Sequence, residues 1–208
     1  MRSGGSHGPG ASLATNVLWT PHVAAAQDKP RRVGLIGCGW YGKCDLFRLI
    51  QVAPVEVVSL CDVDKQMLAE AADIVAGRQL SKKKPRTYSD YREMLKEKDI
   101  EMVTLATPNA LHAPMTIDAA RAGKHVLCEK PLGLTVADAE AMIAACQQAG
   151  ARLGTAFMMR FHAQHLAALE LIRQGALGVP VFARAQLSCW YPPIRGAWRQ
   201  DPKLGGGG

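Results

Sequence analysis

The sequence predicts an α/β fold built on a doubly wound parallel sheet, and three observations support this prediction. First, short apolar runs alternate with helical patterns over residues 32–158, which is typical of parallel strands joined by helices. Second, a glycine-rich turn joins the first apolar run to the first helical pattern. Third, 48% of the 208 residues are hydrophobic, so the chain can bury a core.

The elements follow in order along the chain. Strands are predicted where the apolar runs lie, at 33–36, 55–61, 100–106, 124–128 and 152–158. Helices are predicted between and after them, at 41–50, 64–76, 89–96, 112–122 and 135–149. Ser89 is a candidate N-cap for the third helix, and Thr135 with Asp138 forms a capping-box pattern at the start of the fifth. Beyond residue 160 the pattern predicts a helix at 161–174, a strand at 179–188 and an aromatic, proline-rich loop.

The turn after the first strand has the G-x-G-x-x-G spacing, with Gly37, Gly39 and Gly42. Gly37 allows a tight turn, Gly39 lets the backbone approach a diphosphate, and Gly42 lets the next helix pack against the strand. That helix begins around Trp40 and Tyr41, where unpaired N–H groups and the positive end of the helix dipole would face the phosphates. The turn therefore predicts a dinucleotide site.

Asp62 ends the second predicted strand, twenty residues beyond Gly42. A carboxylate at this point can accept hydrogen bonds from the adenosine ribose. It favours NAD because it repels the 2′-phosphate of NADP, although Lys65 and the loop 82–84 leave NADP open. The alternative is that Asp62 caps the following helix, a role that Asp64 can also fill.

Two further polar segments, 107–109 and 129–131, come directly after predicted strands. Because the carboxyl ends of parallel strands share one edge of the sheet, these segments should lie beside the glycine turn. The Lys130 amine could move a proton in hydride chemistry or, if it stays charged, polarise a substrate oxygen. The alternative is a surface ion pair between Glu129 and Lys130.

Charge and cysteine content argue against several other functions. The formal net charge of +7 is concentrated in 82–86 and at Arg31 and Arg32, without interleaved aromatic residues. Small anionic ligands are therefore more plausible than nucleic acid. The six cysteines contain no C-x-x-C pair, so no metal site is predicted. No stretch is long and apolar enough to predict a membrane span.

Longer motifs carry a resemblance to a known family. They comprise Gly37-Cys-Gly-Trp-Tyr-Gly42, Asp62, Tyr88-Ser-Asp-Tyr-Arg-Glu-Met-Leu95, Ala106-Thr-Pro-Asn-Ala-Leu-His112, Ala122-Gly-Lys-His-Val-Leu-Cys-Glu-Lys-Pro-Leu132, Met159-Arg-Phe161, Gly175-Ala-Leu-Gly178 and Trp198-Arg-Gln-Asp-Pro202. Over about 32–208 the chain resembles the Gfo/Idh/MocA oxidoreductases, the group of glucose–fructose oxidoreductase and inositol 2-dehydrogenase. The combination of Thr-Pro-Asn…His and Glu-Lys-Pro, at this separation along the chain, is specific for this family.

The resemblance implies an NAD(P)-binding Rossmann domain at 31–158 and, at 159–208, the beginning of a second α/β domain. It also implies hydride transfer between a nicotinamide and a sugar, a cyclitol or a similar hydroxyl carbon. The cofactor is expected to be NAD or NADP, and the full-length protein is expected to form homo-oligomers. No nucleic-acid or membrane partner is expected.

The resemblance also implies roles for single residues in catalysis. Lys130 matches the family's catalytic lysine and Glu129 the acid beside the cofactor. The bond from Lys130 to Pro131 is expected to be cis, as it often is in the family. His112 matches a residue near the nicotinamide ribose or the substrate and is a second catalytic candidate, with a packing role as the alternative.

Other matched residues are expected to contact the cofactor or the substrate. Thr107, Pro108 and Asn109 match positions near the nicotinamide ribose or the substrate, and Pro131 is also expected to contact the cofactor. Arg160 matches a position near the substrate pocket, although a salt bridge between domains would explain it equally well. Trp198, together with 190–191, could stack on apolar sugar faces or pack inside the second domain.

The ends of the chain carry two further expectations. In the family, a glycine-rich stretch like 205–208 leads into a helix with an Asp and an acid/base His, and this sequence stops before both. We therefore expect a truncated form that binds a dinucleotide but turns over poorly. Residues 1–30 are predicted to be disordered or to resemble a degenerate export signal. Cytoplasmic localisation is expected, with the periplasm as the alternative.

Two other functions remain open at this point. Some proteins that resemble the family cleave glycosides with tightly held NAD through transient oxidation. A dinucleotide-responsive regulator without catalysis is the other possibility. Lys130 and His112 argue against the regulator, because a pure sensor needs neither residue.

Overall fold

The computed structural model describes residues 29–188, 190, 192 and 198–206 of the chain. The prediction that residues 1–30 are disordered or signal-like therefore falls almost entirely outside the described residues. The prediction for Tyr191 also lies outside them.

Six parallel strands form one sheet in the order β3-β2-β1-β4-β5-β6. They are β1 Arg31–Ile36, β2 Val55–Cys61, β3 Arg86–Tyr88, β4 Met102–Leu105, β5 His125–Cys128 and β6 Leu153–Thr155. The strand order reverses between β1 and β4, which creates a crevice at the carboxyl ends of these two strands. The predicted doubly wound parallel sheet is confirmed. The division into domains after residue 158 stays a prediction.

Helices connect the strands and continue after the sheet. They are α1 Trp40–Val52, α2 Lys65–Arg78, α3 Tyr91–Leu95, α4 His112–Arg121, α5 Val136–Gln148, α6 Ala163–Arg173 and α7 Pro202–Gly205. Short 3-10 helices lie at Asn109–Leu111, Met158–Phe161 and Trp198–Gln200. None of the helices in the described part of the chain combines the length and apolarity needed to cross a membrane.

The core forms two apolar layers, one on each face of the sheet. Leu35 packs with Leu46 of α1 and Leu68 of α2 on one face. Its neighbour Ile36 packs on the other face, in a cluster that includes Met142 of α5. Adjacent strand residues enter opposite layers because successive side chains of a strand point to opposite faces. Both faces are therefore covered, which leaves the strand ends as the place for a ligand.

Side-chain caps fix where several helices begin. Asp64 caps α2 by accepting hydrogen bonds from two backbone N–H groups, and Thr135 and Asp138 form the predicted capping box. The prediction that Ser89 caps α3 is wrong. Asp90 caps this helix, accepting a hydrogen bond from the Arg92 backbone N–H at 2.9 Å, because its carboxylate suits the positive end of a helix.

The predicted strand at 179–188 is also wrong. These residues form no ladder with the described part of the chain, and large apolar side chains such as Val181, Phe182 and Leu187 are exposed. A strand is stable only when a neighbour satisfies its backbone hydrogen bonds. The sequence pattern shows the tendency to extend but not whether a neighbouring strand is available.

The two basic residues at the start of β1 have structural partners. Arg31 pairs with Glu101 at 2.7 Å, and Arg32 pairs with Asp99. Burial acts to raise the pKa of Asp99, but hydrogen bonds from Arg86 and Arg32 outweigh it and hold that pKa below its usual value. These cations therefore pair with carboxylates at the amino end of the sheet, opposite the crevice.

Candidate functional site

The three glycines of the turn have three different surroundings. Gly37 has a φ of +97°, and a Cβ there would lie 2.5 Å from the Ala106 carbonyl oxygen. A Cβ on Gly42 would collide with the Gly37 carbonyl. A Cβ on Gly39 would meet no heavy atom within 4 Å. Gly37 and Gly42 are therefore required by the protein's own packing, whereas Gly39 leaves open space for something else.

Asp62 holds the glycine turn in place. One carboxylate oxygen, Oδ2, accepts a hydrogen bond from the Cys38 backbone N–H at 2.6 Å. The other, Oδ1, accepts from the Asp64 backbone N–H at 2.9 Å. Since Asp64 caps α2, the alternative that Asp62 is the helix cap does not hold. The Asp62 carboxylate is fixed at the crevice, where it can still accept hydrogen bonds through its remaining lone pairs.

A cavity of about 450 Å³ lies above this turn, a size in the range of small-molecule sites. Its walls come from the carboxyl ends of β1, β2 and β4 and from the start of α1. The predicted site residues along it are Gly37, Gly39, Trp40, Tyr41, Gly42, Asp62, Thr107, Pro108 and Trp198. Most of the predicted cofactor-binding residues are thus brought together.

The cavity fits the diphosphate of a dinucleotide. Gly39 is the N-cap of α1 and provides no side-chain cap, and the first turn of α1 carries no acidic residue. No side chain at this helix start therefore competes with an anion as a cap or by negative charge, and the helix dipole favours negative charge there. The open space at Gly39 is where the anion can approach the backbone.

The segment that follows β5 places an amine beside this cavity. Glu129 is 7% exposed, and its backbone N–H donates to the Leu105 carbonyl at 2.9 Å. The Lys130 side chain is 50% exposed, with Nζ 3.8 Å from Glu129 Oε2 and 5.1 Å from the centre of the Tyr41 ring. The bond between Lys130 and Pro131 is cis, as the resemblance implied. Lys130 therefore contacts α1 at the residue that also lines the cavity.

His112 is positioned differently from its prediction. The ring is only 1% exposed. Nδ1 lies 2.7 Å from the Pro131 carbonyl oxygen and Nε2 lies 3.0 Å from the Thr107 carbonyl oxygen. Because backbone groups occupy both ring nitrogens, His112 offers none to a substrate. This geometry favours a positioning role, in which His112 joins the loops after β4 and β5, and its catalytic role stays a prediction.

Sequence reasoning missed Asp45 of α1. Its Oδ2 atom is buried and has no hydrogen-bond partner among the described residues, and burial together with the Glu129 charge raises the pKa of Asp45 to about 7. Asp45 lies one helical turn after Tyr41, so both face the segment that contains Lys130. The sequence did contain one signal for Asp45, namely its i, i+4 spacing from Tyr41 in the helix that starts at the glycine turn.

The remaining predicted residues are spread around the site. Asn109 begins a 3-10 helix after β4 and is not part of the cavity wall. The Arg160 guanidinium lies 5.9 Å from the Phe157 ring, also away from the wall. Trp198 lines the dinucleotide cavity itself, so its position does not support a separate sugar pocket. Trp190 is largely exposed.

Burial makes the cysteines near the crevice poor nucleophiles. It raises the pKa of Cys38, Cys61 and Cys128 to about 12 in each case. A thiol that keeps its proton neither attacks a carbon nor binds a metal. Lys130 and the carboxyl groups beside it therefore remain the candidates for chemistry.

A glycine turn, a carboxylate at the end of β2 and an uncapped helix N-terminus meet at a strand-order reversal, an arrangement typical of dinucleotide-binding α/β proteins. Comparison with known families identifies this class more closely. The chain belongs to the oxidoreductase family with an NAD-binding Rossmann fold, whose model matches residues 31–157. The predicted family, its NAD cofactor and its oxidoreductase class are confirmed at this level.

Three similar proteins illustrate the relationship. The chain is 35% identical to the 1,5-anhydro-D-fructose reductase of Ensifer adhaerens over 177 residues, covering 85% of this chain and 51% of that protein. It is 34% identical to a glycosyl hydrolase family 109 protein of Stenotrophomonas maltophilia over 185 residues, covering 84% and 39%. The crystal structure of the aldose–aldose oxidoreductase of Caulobacter crescentus complexed with glycerol matches with a TM-score of 0.69 and 30% identity, covering 86% and 53%. The chain thus spans about half the length of the relatives it matches, or less.

Proposed function

We propose that this chain is the nucleotide-binding part of an NAD-dependent oxidoreductase that transfers a hydride between the nicotinamide and a hydroxyl carbon of a small substrate. One observation carries the proposal: the Lys130 amine lies over the ring of Tyr41, which itself lines the cavity at the glycine turn. The group that can handle a substrate proton is therefore next to the helix that would hold the diphosphate.

Each part of the crevice has a proposed role in binding the cofactor. The backbone N–H groups at the start of α1 hold the diphosphate, whereas the Cys38 N–H is already bound by Asp62. Asp62 accepts hydrogen bonds from the adenosine ribose, and its negative charge disfavours a 2′-phosphate. Two lysines that could have favoured NADP are engaged elsewhere. Lys82 donates to the Gly77 carbonyl at 2.7 Å, and Lys84 pairs with Asp73 at 2.5 Å. NAD is therefore the proposed cofactor.

The chemistry proposed for the protein centres on Lys130. Bound NAD would supply the carbon that accepts or returns the hydride. In the oxidation direction the neutral Lys130 amine would take up the proton of the substrate hydroxyl, and in the reduction direction its ammonium form would donate to the carbonyl oxygen and return that proton. Glu129 holds the amine by charge, and His112 fixes the segment through the Pro131 carbonyl.

A sugar or a sugar-like polyol is the proposed substrate class. Support comes from the names of the relatives, which include an anhydrofructose reductase and an aldose–aldose oxidoreductase. The crevice contributes the cofactor side of such a reaction, and Arg160 and Trp198 remain proposed contacts to substrate. Homo-oligomerisation and the cellular compartment of the whole protein stay predictions.

Glycoside hydrolysis with retained NAD is the second candidate. The observation that favours it is the 34% identity to a glycosyl hydrolase family 109 protein. The two functions differ in how the cofactor is used, since a hydrolase that returns its hydride within each cycle needs no exchange of NAD. NAD that copurifies and resists dialysis would favour this candidate.

Titration calorimetry with NAD and NADP tests the proposal. We expect saturable binding of NAD and binding of NADP at least about tenfold weaker, a difference of about 1.4 kcal/mol. A dehydrogenase assay with aldoses and inositols, run beside an aryl-glycoside assay, separates the two candidate activities. Absence of binding to either dinucleotide would overturn the proposal.

A further inference from the structure

Asp45 and Glu129 form a pair of carboxyl groups next to Lys130. Asp45 comes from the second turn of α1 and Glu129 from the segment after β5. Glu129 is almost fully buried, and its Oε2 accepts the Lys130 backbone N–H at 3.1 Å. Asp45 Oδ2 is buried, and no donor reaches it within the described part of the chain.

A hydrogen bond between the two carboxyls would give the buried Asp45 Oδ2 a partner, and such a bond needs a proton. Two ionised carboxylates both accept hydrogen bonds and neither donates one. If one carboxyl is protonated, its O–H donates to the other and the pair carries a single negative charge. Burial and the Glu129 charge favour this state, and they raise the pKa of Asp45 to about 7. Paired carboxyls in other active sites share a proton for the same reason.

We propose that Asp45 is a positioning residue that shares one proton with Glu129, so that the pair presents one negative charge rather than two to the Lys130 amine and to the ligand beside it. The second charge appears as the pH rises through neutrality. The pair thereby sets how strongly the ammonium form of Lys130 is held, and it makes the charge of the crevice depend on pH.

The surroundings of Asp45 support this assignment. Within the described residues, the ionisable groups that act on Asp45 are Glu129, which raises its pKa, and Lys130, which opposes that rise. Lys130 Nζ is 3.8 Å from Glu129 but half exposed, so water weakens its influence. Asp45 also sits in the same helix as the proposed diphosphate site, so a change in its charge is close to the proposed cofactor.

Carboxyl-carbon NMR of the intact chain tests for the shared proton directly. In the wild-type protein we expect one Asp carboxyl resonance to titrate near pH 7. This titration should be absent in Asp45→Asn and should shift to lower pH in Glu129→Gln. It should be unchanged in Glu140→Gln, a matched substitution at an exposed position of α5. If every Asp and Glu carboxyl of the wild type titrates below about pH 5, the inference is overturned.

Cofactor binding supplies a readout that a purely structural residue would not affect. This step rests on the proposed function, because it assumes that the nicotinamide lies near Lys130. An added negative charge favours NAD⁺, with its positive ring, over NADH. Between pH 5.5 and 8.5 we expect the ratio Kd(NADH)/Kd(NAD⁺) to rise about three- to tenfold, as one charge roughly 8 Å away would produce. In Asp45→Asn the ratio should stay flat, and Asp45→Glu should restore the rise.

The two measurements distinguish a failure of this inference from a failure of the proposed function. A protein that binds neither dinucleotide contradicts the proposed function, while the NMR titration still decides whether the proton is shared. A protein that binds NAD with a pH-independent ratio, and that lacks a neutral carboxyl titration, contradicts this inference alone. The melting temperature of each variant establishes that it is folded, and Glu129→Gln provides the second variant if Asp45→Asn unfolds.

Discussion

Replacing Gly39 by valine is expected to weaken dinucleotide binding strongly without damaging the fold. The backbone at Gly39 has a φ of −63°, which any residue can adopt, and its absent Cβ would contact no protein atom within 4 Å. A side chain there enters the space assigned to the diphosphate. Losing one hydrogen bond to a charged group costs about 1.5–3 kcal/mol, so the affinity for NAD should fall about 10- to 150-fold.

Titration calorimetry and thermal unfolding together check this expectation. Gly77→Val is the matched control, because Gly77 lies in α2 and its absent Cβ is equally free of neighbours. That variant should bind NAD normally. Gly42→Ala should instead lose stability, since its Cβ would collide with the Gly37 carbonyl. If Gly39→Val is folded and binds NAD as tightly as the wild type, the diphosphate does not lie at this turn.

Three other predictions follow from the residues beside the cavity. Lys130→Met should keep the NAD affinity within about threefold, or 0.7 kcal/mol, while removing any dehydrogenase rate of the wild type; loss of binding in the calorimeter would contradict the role assigned to Lys130. His112→Phe should lower the free energy of unfolding in urea by about 2–4 kcal/mol, because the buried carbonyls of two loops lose their partner; a change below about 0.5 kcal/mol would show that His112 does not join those loops. Asp45, with its pKa raised in the folded state to about 7, binds more protons folded than unfolded, so its contribution to stability is present below about pH 4 and is lost as the pH rises through about 7. Asp45→Asn should therefore be more stable than the wild type by about 1–2 kcal/mol at pH 8 and nearly equal at pH 4; equal stability in urea at both pH values would refute this.

Local patterns were sufficient for the features that depend on the backbone. The roles of Gly37 and Gly42 follow from their spacing after an apolar run, and the structure places both against neighbouring backbone as the motif requires. The parallel sheet could be predicted because five of its strands and the helices that connect them have their own periodicity, whereas β3, with three residues, was missed. Asp62 could be placed at the crevice because it ends a strand.

Features that depend on contacts between distant segments could not be predicted in this way. The spacing from Asn109 suggested a site role for His112, but not that carbonyls from two separate loops would occupy its ring. Asp45 and Glu129 are 84 positions apart, and only the fold brings α1 to the segment after β5, where Lys130 lies over the Tyr41 ring. The extended pattern at 179–188 showed a tendency but not a partner strand.

A crystal structure of the chain soaked with NADH would test the central claim most directly. The account predicts the diphosphate within about 3.2 Å of backbone nitrogens between Gly37 and Gly42, with the nicotinamide on the side of the crevice where Lys130 lies. A diphosphate bound elsewhere, or a nicotinamide turned away from the Lys130 amine, would contradict it.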